Sequence, residues 1–209
     1  IRELNPRPGS IFDNEVTQAV TPDILMRPGP SNDWILELNA ETLPRVLVNN
    51  VYHARVSAQV RSKDEKEYVA DKFQTASWLV KSLDQRANTI LKVASEIVRQ
   101  QDAFLANGVQ DLRPLNLRAI AEVVGIHEST VSRVTSNKYM ATPRGMFELK
   151  YFFTSALSSA NGGDDYSSEA VRNRLRGLID KESSAAVLSD DKLVEILRTS
   201  GIDIARRTV

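Results

Sequence analysis

The clearest pattern of apolar and polar positions lies between residues 117 and 136, and we interpret it as a helix-turn-helix. The apolar stripe of its first helix has the spacing i, i+3, i+4 and i+7 and consists of Leu117, Ile120, Ala121 and Val124. Gly125 follows directly, and helices commonly end on a glycine in the left-handed conformation. Ile126 is placed to fill the core from the turn.

The second helix of this motif is polar on one face. Its polar side chains repeat with the same spacing and are Ser129, Ser132, Arg133 and Ser136. Val131 and Val134 point the other way, and His127 is expected to cap the helix. A short helix with an apolar back and a front of hydroxyl and arginine side chains is suited to the major groove. The alternative is two ordinary amphipathic core helices joined by a glycine turn.

Three charged residues near this face are candidates for contact with DNA. Arg133 can donate two hydrogen bonds to a guanine, or it can contact a phosphate without reading sequence. Glu128 can accept from a cytosine amine, although a glutamate at a helix start is also a common partner of the helix dipole. Lys138 follows just beyond the helix as a further candidate. The residues alone leave these alternatives open.

Two helices are predicted between residues 64 and 106, with a break after residues 82–85. Their apolar positions keep helical spacing and are Val69, Phe73, Ala76, Val80, Leu83, Ile90, Ala94, Ile97 and Phe104. Asn107-Gly108 is a typical helix stop. We interpret Trp34 and Trp78 as packing residues of the core or its rim rather than as stacking partners for a ligand.

Extended segments are predicted near the N-terminus, where residues 1–50 are rich in proline and glycine. Asp23–Met26 and Trp34–Leu38 are expected to pair as a hairpin around residues 27–33. Val46–Val48 are expected to add a short extended piece.

The chain after the helix-turn-helix is predicted to be helical again. The turn residues Thr142–Gly145 interrupt it, and the apolar stretch Met146–Leu157 is expected to form a third helix that closes the small domain's core. Ser158–Asp165 have the composition of a flexible linker.

A second unit is predicted beyond this linker. Ser167 or Ser168 is expected to cap one helix and Ser189-Asp190-Asp191 another, which ends at Gly201-Ile202. The segment Ile204–Val209 is expected to begin a third helix, which carries Arg206 and Arg207. A helix, a glycine turn and a helix with two arginines indicate a second helix-turn-helix.

The predicted fold class is therefore mainly α: a multi-domain helical protein with two helix-turn-helix-like units and a small β-hairpin near the N-terminus. The expected domains are residues 1–107, the helix-turn-helix domain 108–157, the linker 158–165 and a C-terminal unit 166–209.

The composition of the chain narrows the range of functions it can have. Among the 209 residues, 27 basic side chains balance 27 acidic ones, so the formal net charge is zero. A protein that binds DNA unaided usually has a basic surplus, and we expect this chain to bind DNA with the help of a larger partner. The absence of cysteine excludes disulfides and thiolate metal sites and fits a cytoplasmic location. Neither a membrane span nor a signal peptide is visible.

No catalytic constellation is visible in the sequence. The two histidines, His53 and His127, lie far apart and have no metal-ligand pattern around them. The motifs of phosphate-binding loops, serine hydrolases and zinc proteases are absent. We expect no enzyme activity, no catalytic residue, no metal and no cofactor.

Five stretches of the chain together carry a family signature. They are LNPRPG at 4–9, WLVKSLDQR at 78–86, GIHESTVSRVTSNKYMATPRGMFELKYFF at 125–153, SDDKLVEIL at 189–197 and ARRTV at 205–209. Over essentially its whole length the chain resembles the bacterial sigma-54 (RpoN) transcription initiation factors. The run 125–153 is highly specific, and ARRTV is similar to the first half of the RpoN box.

The resemblance implies a factor that binds core RNA polymerase through residues 1–107 and directs it to promoters with GG and GC elements, at −24 and −12. It implies that the GC element is read near Glu128–Arg133 and the GG element by Arg206 and Arg207. Open-complex formation would depend on ATP-hydrolysing AAA+ activators, which the family contacts through a glutamine-rich N-terminal region. We expect the chain to be a fragment that lacks that region and stops inside the box, and to act in the bacterial cytoplasm at the nucleoid.

Two other classes of function remain as alternatives. One is a stand-alone helix-turn-helix repressor, which a basic surplus or a dimerising coiled coil would favour, and neither is present. The other is a helical adaptor without DNA contact, which leaves the polar faces of the two candidate reading helices unexplained.

Overall fold

The computed structural model describes residues 19–30, 33–157, 166–182, 188–202 and 204–206. The helices in these ranges are α1 (Asn50–Gln59), α2 (Lys63–Gln100), α3 (Asp102–Asn107), α4 (Leu117–Val124), α5 (Glu128–Thr135), α6 (Ser168–Ile179) and α7 (Asp190–Thr199). The strands are β1 (Ile24–Pro28), β2 (Trp34–Leu38), β3 (Tyr139–Thr142), β4 (Gly145–Glu148), β5 (Ala156–Leu157) and β6 (Tyr166–Ser167). The described chain is mostly helical, as predicted. None of its helices has both the length and the apolar character to cross a membrane.

The N-terminal hairpin is confirmed, and it is part of a larger sheet. β1 and β2 pair antiparallel, with Ile24 opposite Leu38 and Pro28 opposite Trp34, so β1 continues into residues predicted for the turn. The sheet has four strands in the order β2-β1-β3-β4. β1 runs parallel to β3, with Ile24 opposite Met140. A segment near residue 24 is therefore hydrogen-bonded to the strand that follows the helix-turn-helix.

α2 is one continuous helix of 38 residues, so the predicted break after residues 82–85 is wrong. The hydroxyls of the polar residues in this region find partners within the helix and do not interrupt it. Ser82 Oγ donates to the carbonyl of Leu79 at 2.8 Å, and Thr89 Oγ1 donates to that of Gln85 at 2.7 Å. The helix ends instead at Gln101, whose buried side chain bonds to both the carbonyl and the N–H of Arg113, at 2.7 and 3.1 Å.

The main hydrophobic core is built on the C-terminal half of α2. No side chain of α2 before Ile90 is buried, whereas most of its apolar residues from there onward are. The other buried side chains of this core come from the sheet, α3, α4, α5, the segment between α3 and α4 and the 3-10 turn Leu149–Phe152. They are Ile24, Met26, Phe104, Leu105, Leu112, Leu115, Ile120, Ala121, Val131, Met140, Leu149 and Phe152. Residues from both sides of the boundary expected at residue 107 thus share one core.

The two tryptophans differ in their environment. Trp34 packs against the core, as predicted, and its Nε1 donates to Asp102 Oδ1 at 2.9 Å. Trp78 lies on the N-terminal half of α2 and is 67% exposed, so its predicted packing role is wrong. α1 lies against this half of the helix, where the ring of His53 stacks on that of Phe73 with the centroids 4.0 Å apart.

The stretch Met146–Leu157 does not form the predicted helix. It consists of β4, a 3-10 turn over Leu149–Phe152 and the short strand β5. Thr142 pairs with Gly145, so Pro143 and Arg144 form a two-residue hairpin turn that directs the next residues along β3. The aromatic side chains nevertheless close the core, because Phe104 meets Phe147 and Phe152 edge-on at 5.3 and 5.5 Å.

Arg144 ties the turn of this hairpin to the end of α3. Its Nε donates to the carbonyl of Leu105 at 2.7 Å, and its Nη2 donates to that of Ala106. These carbonyls belong to the last turn of α3, where a helix leaves its acceptors without intrahelical partners. Gly108 has φ 112° and lies beside the guanidinium, so both its conformation and its small size are needed here.

A second, smaller core joins α6, α7 and the residues that follow α7. Its buried residues are Val171, Val194, Leu197, Ile202 and Ile204. Both predicted caps are confirmed, since Ser167 accepts from the N–H of Glu169 and Ser189 from that of Lys192. The predicted linker at residues 158–165, and residues 207–209 of the predicted third helix, lie outside the described residues.

Two glycine substitutions with opposite expected effects test the local geometry. Gly125 has φ 74°, and no atom lies within 4 Å of the place where a Cβ would be. Gly125→Ala should therefore destabilise by about 1–2 kcal/mol, the cost of the left-handed conformation in an L-residue. Gly177 lies inside α6 with the same open space, and Gly177→Ala should stabilise by about 0.5–1 kcal/mol. Denaturant unfolding followed by circular dichroism measures both, and a Gly125→Ala variant as stable as the parent would contradict the left-handed turn.

Candidate nucleic-acid interface

The helix-turn-helix predicted between residues 117 and 136 is confirmed. α4 begins after Asn116, whose Oδ1 accepts from the N–H of Arg118 at 3.0 Å. Gly125 ends it at φ 74° and ψ 37°, and the N–H of Ile126 bonds back to the carbonyl of Ala121 at 3.0 Å. His127 caps α5 as expected, because its side chain accepts from the N–H of Ser129. Three residues, 125–127, thus turn the chain from one helix into the next.

The same terminal geometry recurs at the end of α7. Gly201 has φ 85°, and the N–H of Ile202 bonds back to the carbonyl of Leu197 at 3.0 Å. Ile202 is buried in the smaller core. A glycine-isoleucine pair therefore ends the helix at the predicted place in both cases, after α4 and after α7.

The back of the helix-turn-helix is held by the core. Ile120 and Ala121 of α4 and Val131 and Thr135 of α5 are buried. The hydroxyl of Thr135 is satisfied inside its own helix by the carbonyl of Val131 at 2.9 Å. With these faces buried, the opposite face of α5 is turned to solvent.

The exposed face of α5 carries the residues predicted to contact DNA. All five of them are exposed: Glu128, Ser129, Ser132, Arg133 and Ser136. The hydroxyl of Ser129 lies 2.8 Å from His127 Nδ1, and that of Ser136 donates to the carbonyl of Ser132 at 2.8 Å. Within the described ranges, neither the Arg133 guanidinium nor the Glu128 carboxylate has an ion pair or a side-chain hydrogen bond. Both charged groups are available to a ligand.

Lys138 does not share this exposed face. Its side chain is 24% exposed, and its Nζ lies 2.9 Å from Oδ1 of Asp23. The sequence pattern gives no sign of this ion pair, because 115 positions separate the two residues.

The second predicted DNA-contacting site is only partly described. The side chain of Arg206 is 67% exposed. Its Nη1 lies 3.4 Å from Asp191 Oδ2 and its Nε 3.9 Å from Asp190 Oδ2, so its charge has acidic partners. Asp203 and Arg207, on either side of this segment, lie outside the described residues.

The described buried carboxylates have structural partners. Glu96 on α2 accepts from Arg99 Nε and Nη2 at 2.8 and 2.7 Å and from Gln100. The hydrogen bonds from Arg99 hold the pKa of Glu96 below its ordinary value. Asp23 accepts from Lys138 and from the N–H of Tyr139. Both carboxylates are thus engaged by donors of the fold and serve as structural anchors.

Two family models match the chain. The sigma-54 DNA-binding domain model matches residues 66–209, and the sigma-54 factor core-binding domain model matches residues 1–52. α4, α5 and Arg206 thus lie in the part matched by the DNA-binding domain, whereas β1 and β2 lie in the part matched by the core-binding domain.

Full-length relatives and a solved structure extend this result. The chain is 61% identical to the RNA polymerase sigma-54 factor of Caulobacter vibrioides and 60% identical to that of Azorhizobium caulinodans, in both cases over all of the chain. It spans 42% and 41% of the length of these relatives. A crystal structure of Aquifex aeolicus sigmaN bound to promoter DNA has a TM-score of 0.60 and 27% identity, and the match covers 92% of this chain and 56% of that one. Since the DNA-binding model alone matches well over half of its residues, the chain belongs to the sigma-54 family of RNA polymerase factors.

Proposed function

We propose that this chain binds core RNA polymerase and directs it to promoters with GG and GC elements. The observation that carries the proposal is the solvent-facing side of α5, on which Arg133 and Glu128 are exposed and have no partner among the described residues. The similarity to a relative whose crystal structure contains promoter DNA supports it. As a sigma factor the chain is a transcription initiation factor and not an enzyme. We place its action at the nucleoid in the bacterial cytoplasm, and we infer AAA+ activators as further partners of the whole protein.

In this proposal α5 reads the GC element in the major groove. Arg133 donates a bidentate pair to guanine O6 and N7, and Glu128 accepts from a cytosine N4 amine. The serines 129, 132 and 136 lie on the same face and supply short polar contacts to bases or phosphates. The buried back of α5 supports the proposal because it leaves only this face for the groove.

The GG element is assigned to Arg206 and Arg207. Arg206 is exposed but paired with Asp190 and Asp191 at the N-terminus of α7, so it must leave these carboxylates before it can reach a base. Exposed ion pairs are weak, and this exchange costs little.

The polymerase-binding surface is proposed to lie within the part matched by the core-binding model. Three apolar side chains near its end are strongly exposed: Leu47 (95%), Val51 (70%) and Tyr52 (65%). Exposed apolar groups clustered along one segment are typical of a surface that is covered by a partner. The zero net charge supports a polymerase-dependent mode of binding, because stable occupancy of DNA by an isolated protein rests on neutralising phosphates.

Arg133→Ala should relax recognition of the GC element. Loss of one bidentate arginine–guanine pair removes about 1–3 kcal/mol of discrimination. The measurement compares the affinity of the chain for a duplex with the GC element and for one in which it is mutated. Arg55→Ala, an exposed arginine on α1, is the control and should leave the ratio unchanged. Equal weakening on both duplexes by Arg133→Ala would show a sequence-blind phosphate contact instead.

Core polymerase should strengthen binding of the chain to GG–GC duplexes in a gel-shift assay. Leu47→Ser combined with Val51→Ser should abolish this enhancement and leave polymerase-free binding as it was, because both side chains are exposed and lie in the core-binding part. Ile179→Ser, an exposed apolar residue on α6, is the matched control and should retain the enhancement. An enhancement that survives the double substitution would place the polymerase contact elsewhere, and no enhancement for the parent chain would contradict the proposed function.

A further inference from the structure

Asp23 connects the N-terminal hairpin to the segment that leaves the candidate reading helix. Its side chain is buried, and both carboxylate oxygens are used. Oδ1 accepts from Lys138 Nζ at 2.9 Å, and Oδ2 accepts from the N–H of Tyr139 at 3.0 Å. Its own N–H donates to the carbonyl of Tyr139 at 2.9 Å, and its carbonyl accepts from the N–H of Asn39 at 2.8 Å. One residue thus fixes the positions of β1, the end of β2 and the start of β3.

The segment held by Asp23 follows α5 after only two residues. α5 ends with Ser136 as its C-cap, and Asn137 takes the left-handed conformation at φ 52°. The N–H of Asn137 donates to Glu148 Oε1 at 2.8 Å, which fixes the turn from the side of β4. Because the connection is this short and is held at each residue, any shift at Lys138 and Tyr139 changes the orientation of α5.

The surroundings of Lys138 favour a bracing role over contact with a phosphate. Its ammonium is a compact charge, already paired with a carboxylate of which only 10% is exposed. Salt screens such a sheltered pair far less than it screens exposed charges. Removal of one partner would leave the other charge uncompensated in a partly buried site.

We propose that Asp23 is a positioning residue for promoter reading, which sets the orientation of α5 through Lys138 and Tyr139 without touching DNA. The proposal rests on the proposed function, in which α5 reads the GC element. It assigns Lys138 the role of a brace in place of the DNA contact expected from the sequence. It also makes a residue in the part matched by the core-binding model a determinant of DNA sequence preference.

The test compares variants of the full chain on two duplexes, one with the GC element and one in which it is mutated. Asp23→Asn removes the charge but keeps an acceptor for the N–H of Tyr139. Lys138→Met removes the ammonium and keeps the apolar stem. The variant with both substitutions completes a double-mutant cycle. Asp71→Asn is the matched control, since Asp71 forms an exposed ion pair with Lys72 on α2. Thermal unfolding establishes the temperature at which every variant is folded, and the affinities are measured below it at several salt concentrations.

Asp23→Asn and Lys138→Met should each lower the GC-to-mutant affinity ratio by about tenfold, and the double variant should lose no more than the larger single effect. The salt dependence of binding should not change in Lys138→Met, because the brace releases no counterions. Asp71→Asn should match the parent in every measurement. A loss of stability alone would leave the affinity ratio of the folded protein intact, so the ratio separates positioning from a merely structural role.

Two results would overturn the proposal. One is an unchanged affinity ratio in folded Lys138→Met or folded Asp23→Asn. The other is a Lys138→Met variant that binds both duplexes equally weakly and loses about 0.9 from the salt slope, which would make Lys138 a phosphate contact. The affinity ratios of the parent chain and of Arg133→Ala test the proposed function itself, independently of Asp23. If the parent chain does not prefer the GC duplex, both the proposed function and the role of Asp23 are refuted. If the parent prefers it and the Asp23 and Lys138 variants keep that preference, only the role of Asp23 is refuted.

Discussion

The apolar surface on the C-terminal half of α2 is the constraint on which the rest of the molecule depends. α4 and α5 have eight residues each, too few to be stable as isolated helices. They become stable by burying Ile120 and Val131 against the core that α2 organises. That burial uses one face of each helix and leaves the front of α5 in water, where its arginine, glutamate and serines are accessible. The accessible face that we propose reads DNA is thus a consequence of how a short helix obtains its stability.

The same core unites parts of the chain that the family models assign to different roles. β1 and β2 lie in the part matched by the core-binding model, yet β1 pairs with β3 directly after the helix-turn-helix. The hairpin turn after β3 reaches back to α3 through Arg144. Hydrogen bonds and packed side chains therefore connect the N-terminal hairpin to α5 within one core.

The features that the sequence predicts correctly are local ones. The periodicity of α4 and α5, the glycine turns and the caps at His127, Ser167 and Ser189 are all set by residues a few positions apart. The helix predicted over 146–157 is absent, because an aromatic-rich stretch can pack into a core in any conformation and here its start pairs with β3. The Asp23–Lys138 pair and the Arg144 contact leave no sign in the sequence, since each depends on a fold that brings distant residues together. The break expected in α2 is absent because the hydroxyls of Ser82 and Thr89 find acceptors within the helix, so polar residues there do not end it.

Native-state hydrogen exchange tests most directly whether one core holds the N-terminal hairpin and α5 together. The slowest amides of β1, α2, α5 and β3 should exchange through one opening reaction, with the same free energy and the same dependence on denaturant. Asp23, whose N–H is bonded to the carbonyl of Tyr139, is the most informative single probe. Amides of α4 and α5 that stay protected while β1 opens at a lower free energy would contradict the account, because the helix-turn-helix would then be stable without the hairpin.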